Sequence, residues 1–183
     1  MKNRAVFLDR DGTIAPDVNY CRRPEDFNLF PGAGEAVKLL NKHGFKVIII
    51  TNQSGIARGY FTTQTLDRIH QKMVDELSHY GAVLDAIYYC PHHPDDGCEC
   101  RKPKTALFRR AAREIDIEFG LSYAVGDSSI DIEAGKALGC KTVLVTTGPK
   151  QEDRLIHADY TANSLVQAAQ LILRDAQSAR STM

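Results

Sequence analysis

The chain has 183 residues, carries 23 acidic and 23 basic side chains, and is 43% hydrophobic. These values are typical of one globular domain with a sizeable core. Because the charges balance, no net field favours nucleic acid or a membrane surface as a partner. No apolar run approaches the roughly 20 residues of a membrane span, and no signal-peptide segment opens the sequence. We therefore expect a cytoplasmic protein, and we expect a monomer.

Short apolar runs alternate with amphipathic segments along the chain. The runs have the length and β-branched content of buried strands, and the segments have the apolar spacing of helices. This alternation predicts an α/β fold with a doubly wound, mostly parallel, Rossmann-like sheet. We expect a single domain over residues 1–175 and a frayed tail over residues 176–183. The predicted strands are residues 5–8, 45–50, 83–89, 121–125 and 141–145, and the predicted helices lie between Gly32 and Gly44 and at residues 62–79, 104–118, 130–138 and 163–174.

Three of the predicted strands end in polar residues. Asp9 and Asp11 follow the first strand, Thr51 and Asn52 the second, and Asp127 the fourth. If the strands are parallel, these residues share the edge at which open α/β sheets bind ligands. Two carboxylates so close together repel each other unless a cation neutralises them, and Mg²⁺ suits such hard oxygen ligands. The alternative for each cluster is a turn or a helix N-cap that binds nothing.

The cysteines indicate a metal site. Their odd number and the closeness of three of them argue against a disulfide framework and favour a metal site in a reducing compartment. Three thiols and one imidazole, from His92 or His93, form a Cys₃His set within loop 90–103 that suits a tetrahedral, structural Zn²⁺ site. The five cysteines are Cys21, Cys90, Cys98, Cys100 and Cys140, of which the first and the last are expected to be small buried hydrophobic residues.

The polar clusters resemble the four motifs of the haloacid-dehalogenase-like phosphohydrolases. The motifs occur in the order and at the spacing of that family, and the resemblance covers roughly residues 4–148. It implies a Mg²⁺-dependent phosphomonoester hydrolase that acts through an aspartyl-phosphate. The four motifs are Asp9-Arg10-Asp11-Gly12-Thr13, Thr51-Asn52-Gln53-Ser54, Arg101-Lys102 and Gly126-Asp127-Ser128-Ser129-Ile130-Asp131.

The resemblance also implies a role for each motif residue. Asp9 would attack phosphorus, and Asp11 would protonate the leaving alkoxide and then deprotonate the attacking water. Thr51 and Lys102 would donate hydrogen bonds to the phosphoryl oxygens. Mg²⁺ would be held by Asp9, the backbone carbonyl of Asp11, and Asp127.

Two further motif residues carry no such definite role. Asp131 comes four residues after Asp127, about one helical turn on, and would hold either the metal's water or Lys102. Arg10, between the two carboxylates of the first motif, gains no role from the resemblance.

Two stretches narrow the resemblance to a branch of the family. Residues 51–59 and 89–94 resemble the D-glycero-D-manno-heptose-1,7-bisphosphate 7-phosphatases, which implies removal of the 7-phosphate in the biosynthesis of nucleotide-heptose for lipopolysaccharide or surface glycan. Residues 101–104 also resemble the sibling histidinol-phosphate phosphatases of histidine biosynthesis, so that activity stays open. Ser128 departs from the heptose branch, which often has lysine there.

The same resemblance favours one histidine in the zinc loop. Its Cys-x-His spacing selects His92 as the fourth ligand, with His93 facing solvent or supporting the ligands. Because Arg101 and Lys102 follow the last ligand directly, a bound Zn²⁺ would fix the backbone that presents both cations. The proposed zinc ligands are Cys90, His92, Cys98 and Cys100.

The predicted site has no large cap domain, because only the 39 residues from 12 to 50 separate Asp11 from Thr51. An open site favours a substrate that carries its own anchoring charge, such as a small phosphorylated sugar. For Arg58 an ordinary surface cation is the alternative. The candidate substrate-binding residues are Asp17, Tyr20, Asn52, Gln53, Ser54, Arg58 and Arg101.

A non-enzymatic alternative is a receiver-like module in which Asp9 and Asp11 bind Mg²⁺ without turnover. Lys102 and the full set of hydrogen-bond donors in the second motif argue against it. Zinc-finger binding of nucleic acid is disfavoured by the balanced charge and the lack of a basic face.

Overall fold

The fold is seen in a computed structural model that describes residues 2–148 and 157–181. Six strands form one sheet in the order β3-β2-β1-β4-β5-β6, and every neighbouring pair is parallel. The strands are β1 (Ala5–Leu8), β2 (Lys46–Asn52), β3 (Ala86–Cys90), β4 (Tyr123–Gly126), β5 (Lys141–Val145) and β6 (Tyr160–Ala162).

Within the described residues, five α-helices and three short 3-10 helices connect and cover the strands. No helix in residues 2–148 and 157–181 is both long and apolar enough to cross a membrane. The α-helices are α1 (Ala33–Lys42), α2 (Thr63–His79), α3 (Ala106–Ile115), α4 (Ser129–Ala137) and α5 (Leu165–Ser181), and the 3-10 helices are Pro24–Asp26, Pro94–Asp96 and Phe119–Leu121.

Helices cover both faces of the sheet, and alternate residues of a strand point to opposite faces. Val6 and Leu8 of β1 pack in the core that includes α1, α2 and α5. Ala5 and Phe7 pack in the core that includes α3 and α4. A strand buried on both sides needs an unbroken apolar run, which is what the sequence of β1 provides. The predicted doubly wound, parallel α/β fold is confirmed.

β1 lies where the strand order reverses. The chain passes outward from β1 through β2 to β3, returns to β4 on the other side of β1, and continues outward to β5 and β6. The carboxyl ends of all the strands therefore share one edge, and a crevice at such a switch point is the usual ligand site. Between β1 and β2 the chain forms a loop, a 3-10 helix and α1, so the expected lack of a large cap domain at this position is confirmed.

Several predicted boundaries shift by a few residues, and two of the shifts have a clear local reason. The third strand begins at Ala86 instead of residue 83, because the Val83 amide donates to the Asn41 side chain of α1 at 2.8 Å and so lies outside the sheet. α3 ends at Ile115 instead of residue 118, because Asp116 adopts a left-handed backbone conformation with φ 54° that stops the helix.

The carboxyl-terminal part of the described chain differs more from the prediction. β6 was not predicted, because three residues are too few to show a periodicity. α5 continues to Ser181, which corrects the prediction of a frayed tail for residues 176–181; residues 182 and 183 lie outside the described residues. Asp175, in α5, forms hydrogen bonds with the sheet.

Asp175 accepts hydrogen bonds from three side chains of the sheet. Lys141 of β5 donates to both carboxylate oxygens at 2.7 and 2.6 Å, Tyr160 of β6 donates at 2.6 Å, and Tyr123 of β4 donates as well. Burial acts to raise the pKa of Asp175, but the hydrogen bonds from Lys141 and both tyrosines outweigh it and lower the pKa below its usual value. One charged group thus joins α5 to three strands.

We expect Asp175→Ala to lower the free energy of unfolding by about 2 kcal/mol, because two tyrosine hydroxyls and an ammonium lose their common acceptor. Urea denaturation followed by circular dichroism measures the change. The matched control is Glu133→Ala, which removes an exposed helical carboxylate of α4. Equal unfolding free energies for the two variants would contradict the role of Asp175.

Candidate active site

The polar ends of β1, β2 and β4 meet in one open pocket of about 310 Å³. Asp9 follows β1, Thr51 lies at the end of β2, and Asp127 follows β4. As the sequence predicts, these three residues lie together at one edge of the sheet. The pocket is lined by Asp9, Asp11, Asp17, Asn19, Tyr20, Thr51, Asn52, Gln53, Lys102, Asp127, Ser128 and Ile130.

Lys102 is the cation at the floor of this pocket, and it is only 4% exposed. Its Nζ donates to Asp9 Oδ1 at 2.7 Å and to the carbonyl of Ile50 at 2.6 Å, and it pairs with Asp131 Oδ1 at 2.6 Å. An ammonium has three protons, so each has an acceptor. Burial works against the charge, but Asp131 and Asp9 raise the pKa of Lys102 above its usual value. The residue is therefore a fixed positive charge beside Asp9.

Asn52 places the backbone of Lys102. Its side-chain oxygen accepts from the Lys102 amide at 3.0 Å, and its side-chain nitrogen donates to the Lys102 carbonyl at 3.3 Å. The sequence predicted a substrate-binding role for Asn52. The structure shows that both ends of its amide group contact the zinc loop, although the residue still lines the pocket.

Asp131 pairs with Lys102, one of the two partners that the sequence predicts for it. Besides its ion pair with Lys102, it accepts from the amide of Ser128 at 3.3 Å and from the Ser128 hydroxyl at 2.6 Å. These contacts form a capping box at the start of α4. Asp131 therefore orients Lys102, and Ser128, which replaces the expected lysine, begins the helix and holds Asp131.

Asp127 lies in a space that only glycine leaves open. A Cβ at Gly12 would come within 2.3 Å of Asp127 Oδ2, and a Cβ at Gly148 would come within 1.8 Å of the same atom. Gly12 also has φ +79°, a left-handed conformation that a side chain disfavours. The turn after β1 therefore requires glycine for two reasons, the close approach of Asp127 and the left-handed backbone.

The carboxylates of the pocket fit a hard divalent cation. Asp9, Asp127 and Asp131 each offer an oxygen, and these oxygens lie within 4.8 Å of one another. Burial raises the pKa of Asp9 to about 7, opposed by Lys102, and burial followed by Asp131 raises the pKa of Asp127 to about 7. A cation at this position would offset the cost of ionising both groups, and all-oxygen donors are those that Mg²⁺ takes.

The sequence missed an arginine beneath Asp11. Arg10 is fully buried, and its Nη2 donates to Asp11 Oδ2 at 2.9 Å and to Gln53 Oε1 at 3.1 Å. Gln53 in turn donates to Asp11 Oδ2 and to Thr51 Oγ1, both at 2.9 Å. The only sign of this role in the sequence is that Arg10 directly follows a buried strand. Its partners Gln53 and His70 are distant in sequence, and only the fold brings them close to it.

A second cluster lies in the loop after β3. Sγ of Cys100 lies 3.1 Å from Sγ of Cys90 and 3.7 Å from Sγ of Cys98, and Nδ1 of His92 lies 3.1 Å from Sγ of Cys100. Tetrahedral bonds of about 2.3 Å to one Zn²⁺ separate two sulfurs by about 3.8 Å, so four ligands at this spacing fit one such ion. Burial raises the pKa of the Cys90 thiol to about 12, and a bound cation is what would favour its thiolate.

The structure distinguishes the two adjacent histidines. His92 belongs to the group of four possible ligands. Nδ1 of His93 instead accepts from the Asp95 amide at 3.3 Å and caps the 3-10 helix Pro94–Asp96. The imidazole that the Cys-x-His spacing selected is therefore the one that faces the thiols.

Some predicted substrate-binding residues line the pocket and others do not. Asp17, Tyr20 and Gln53 line it, and so does Asn19, which the sequence did not indicate. Three residues lie outside the lining: Ser54 is buried, Arg58 is exposed on the loop after β2, and Arg101 is partly buried with its Nη1 lacking a hydrogen-bond partner among the described residues.

The fold and the site are those of a haloacid-dehalogenase-like hydrolase. Residues 99–168 match the HAD-hydrolase-like family. The D-glycero-β-D-manno-heptose-1,7-bisphosphate 7-phosphatase of Haemophilus ducreyi is 43% identical over 175 residues, with 91% of this chain and 96% of that protein covered. The enzyme of the same name from Escherichia coli O6:H1 is 40% identical, with 92% and 93% covered. This chain belongs to the D-glycero-β-D-manno-heptose-1,7-bisphosphate 7-phosphatase family, and it is a phosphatase.

A solved structure has the same fold. The crystal structure of D,D-heptose 1,7-bisphosphate phosphatase from Bordetella bronchiseptica, complexed with magnesium and phosphate, aligns with a TM-score of 0.87 and 38% identity. The alignment covers 94% of this chain and 99% of that one.

We expect the metal-free protein to lose stability as pH rises from about 4 to about 7.5. The pKa of Asp127 is near 3.8 unfolded and about 7 folded, so the folded state binds the proton more tightly. That contribution is complete below the unfolded pKa and is lost as pH rises through the folded one. Melting temperatures measured at each pH, with and without millimolar Mg²⁺, test this, because the cation takes the place of the proton.

Asp127→Asn is the comparison that isolates this carboxylate. We expect its melting temperature without Mg²⁺ to fall less steeply with pH than that of the unmodified protein. Parallel curves for the two proteins would show that Asp127 is ionised throughout and would contradict the assignment.

Proposed function

We propose that the protein removes the 7-phosphate of D-glycero-β-D-manno-heptose 1,7-bisphosphate, with Mg²⁺ as cofactor and an aspartyl-phosphate as intermediate, in nucleotide-heptose biosynthesis. The observation that carries the proposal is the ion pair of Asp9 with buried Lys102 at the floor of a pocket that Asp127 completes. Relatives of that activity at 40 to 43% identity over nine-tenths of the chain support the substrate and its β anomer.

In the first step Asp9 is the nucleophile. One carboxylate oxygen of Asp9 forms a bond to phosphorus, the bond between phosphorus and the C7 oxygen breaks, and Asp11 gives its proton to that oxygen. Lys102 lies 2.7 Å from Asp9 Oδ1 and so holds the nucleophile in one orientation. Splitting the hydrolysis into two steps avoids a direct attack of water on a phosphate dianion.

In the second step Asp11 is the base. Water attacks phosphorus, Asp11 takes the proton of the water, and the bond between phosphorus and Asp9 breaks to release inorganic phosphate. Both aspartates return to their first state. Thr51, whose oxygen accepts from Gln53, can turn its own proton toward a phosphoryl oxygen.

The carboxylates of Asp9 and Asp127 and the backbone carbonyl of Asp11 would hold the Mg²⁺. When bound, the ion cancels the repulsion between an anionic nucleophile and an anionic substrate. Lys102 and Asp131 form a buried pair that orients this arrangement from below.

The second phosphate of the substrate would contact the mouth of the pocket. Arg101 follows the last zinc ligand and has a buried Nη1 without a partner in the described chain, which suits an anionic ligand. Asp17 and Tyr20 line the pocket and are placed to bind sugar hydroxyls. Ser54 and Arg58, on the loop after β2, remain proposed substrate-binding residues. We propose a monomer.

The Cys₃His cluster would bind a structural Zn²⁺. Four protein ligands leave no coordination position open for chemistry. The ligand Cys100 is two residues from Lys102, so the ion would fix the loop that supplies the buried ammonium. Thiols that serve as metal ligands need a reducing compartment, which supports a location in the cytoplasm.

We expect Mg²⁺-dependent phosphate release from D-glycero-β-D-manno-heptose 1,7-bisphosphate to exceed release from histidinol phosphate by a factor of about 10² or more at equal concentration, because only the bisphosphate has a second anion for Arg101. A colorimetric phosphate assay measures both substrates, and the α anomer tests the anomeric preference.

Asp9→Asn is the control for catalysis, and it should release no phosphate from any of the three substrates. A preference for histidinol phosphate would overturn the substrate assignment. Phosphate release by Asp9→Asn at the rate of the unmodified protein would overturn the aspartyl-phosphate.

We expect Cys100→Ser to lose zinc and to lower kcat roughly 10-fold or more, because the loop no longer holds Arg101 and Lys102 in place. Zinc content by atomic absorption and kcat at saturating Mg²⁺ are the measurements. Cys140→Ser, in a buried thiol that is not one of the four proposed ligands, should keep both zinc and kcat. A folded, zinc-free Cys100→Ser with unchanged turnover would contradict this role.

A further inference from the structure

Arg10 is the largest fully buried side chain that the reaction above does not use. It lies between the nucleophile and the acid/base in the sequence, and its guanidinium turns toward Asp11. Nε donates to Asp11 Oδ1 at 3.1 Å, and Nη2 donates to Oδ1 at 3.0 Å and to Oδ2 at 2.9 Å. Such a side-on pair fixes the plane of the carboxylate, which a single hydrogen bond does not.

The third guanidinium nitrogen contacts a histidine from a distant helix. Nη1 of Arg10 lies 3.4 Å from Nε2 of His70, a buried residue of α2. Burial, followed by the charge of Arg10, lowers the pKa of His70 to about 3. The imidazole is therefore neutral, and its Nε2 is an acceptor with the proton on Nδ1. His70 also packs against Tyr89 at 5.8 Å between ring centroids.

Gln53 completes the enclosure of Asp11. It donates to Asp11 Oδ2 at 2.9 Å and accepts from Arg10 Nη2 at 3.1 Å, so the three side chains form a closed ring of hydrogen bonds. The Asp11 side chain is 25% exposed, whereas that of Arg10 is 1% exposed. The ring thus anchors a carboxylate at the pocket surface to a buried cation that cannot move away from it.

We propose that Arg10 and His70 are positioning residues for the acid/base: His70 fixes the guanidinium of Arg10, and Arg10 fixes the carboxylate of Asp11 toward the leaving oxygen. The inference rests on the proposed function, because it assumes that Asp11 transfers the proton. Neither Arg10 nor His70 lines the pocket. Their effect passes through the orientation of one carboxylate, which without them could rotate into solvent.

Leaving groups that differ in their need for a proton isolate this role. Cleavage of the heptose 7-phosphate expels an alkoxide, which must take the proton of Asp11 as the bond to phosphorus breaks. Cleavage of p-nitrophenyl phosphate expels a stable phenolate that needs no proton. The quantity to compare is kcat/KM, since it reports the steps up to aspartyl-phosphate formation and excludes the common second step.

The test variants change one contact each. His70→Phe keeps an aromatic ring and removes the acceptor, His70→Gln keeps an acceptor, and Arg10→Lys keeps the charge but not the side-on pair. We expect His70→Phe and Arg10→Lys to lower kcat/KM for the heptose bisphosphate about 10-fold or more and for p-nitrophenyl phosphate less than about 2-fold, since acid/base catalysis contributes roughly 10² to 10⁴. His70→Gln should restore most of the loss.

Two reference variants calibrate the result. Asp11→Asn should show the same difference between the two esters at larger size. His79→Gln, in an exposed histidine of the same helix, should match the unmodified protein on both. Circular dichroism and melting temperature establish that each variant is folded, and Arg10→Lys decides the question if His70→Phe does not fold.

An equal loss of kcat/KM on both esters, in His70→Phe or in Arg10→Lys, would overturn the inference, because a general disturbance of the pocket does not depend on the leaving group. An unmodified protein that hydrolyses neither ester would overturn the proposed function as well. The two failures are therefore distinguishable.

Discussion

The site depends on one buried ammonium. Lys102 is shared by Asp9, Asp131 and the carbonyl of Ile50, and all three contacts are 2.7 Å or shorter. Removing a charge from water costs several kcal/mol, so a buried lysine persists only where acceptors replace its whole hydration shell. Those acceptors come from the ends of β1 and β2 and from α4, so the ion pair forms only when the parallel sheet is in register. The site and the fold thus both require the correct register of the parallel strands.

Loop 90–103 carries the residue that reaches the centre of the sheet edge, Lys102. Lys102 lies in no strand or helix, and a short polar loop has too little apolar surface to hold its own backbone. Two features hold it in place. The Cys₃His cluster ends at Cys100, two residues before Lys102, and the Asn52 side chain of β2 forms hydrogen bonds with both the amide and the carbonyl of Lys102. The side-chain amide of Asn52, for which the sequence predicts substrate binding, therefore also holds the backbone of Lys102.

What the sequence predicted well was the part that rests on local rules. Parallel strands put Asp9, Thr51 and Asp127 at one edge, and cysteine spacing marked the metal cluster. It failed for Arg10 and His70, which are 60 positions apart, because a histidine in an amphipathic helix reads as an ordinary core or surface residue. It failed again for β6, whose three residues carry no period. Side-chain pairs made by tertiary packing leave no local pattern to detect.

The four carboxylates at the pocket differ in their ion pairs. Asp11 is paired with Arg10 and Asp131 with Lys102, whereas Asp9 must share Lys102 and Asp127 has no ion pair within the described residues. Asp11 has a cation of its own, Arg10, which holds the orientation that the proposed proton transfer needs, and Asp131 holds the Lys102 that it shares with Asp9. Burial raises the pKa of Asp9 and of Asp127, and both carboxylates line the pocket. A divalent cation held by Asp9 and Asp127 would neutralise both carboxylates and would still attract a phosphate oxygen, whereas every proton of the Lys102 ammonium already has an acceptor.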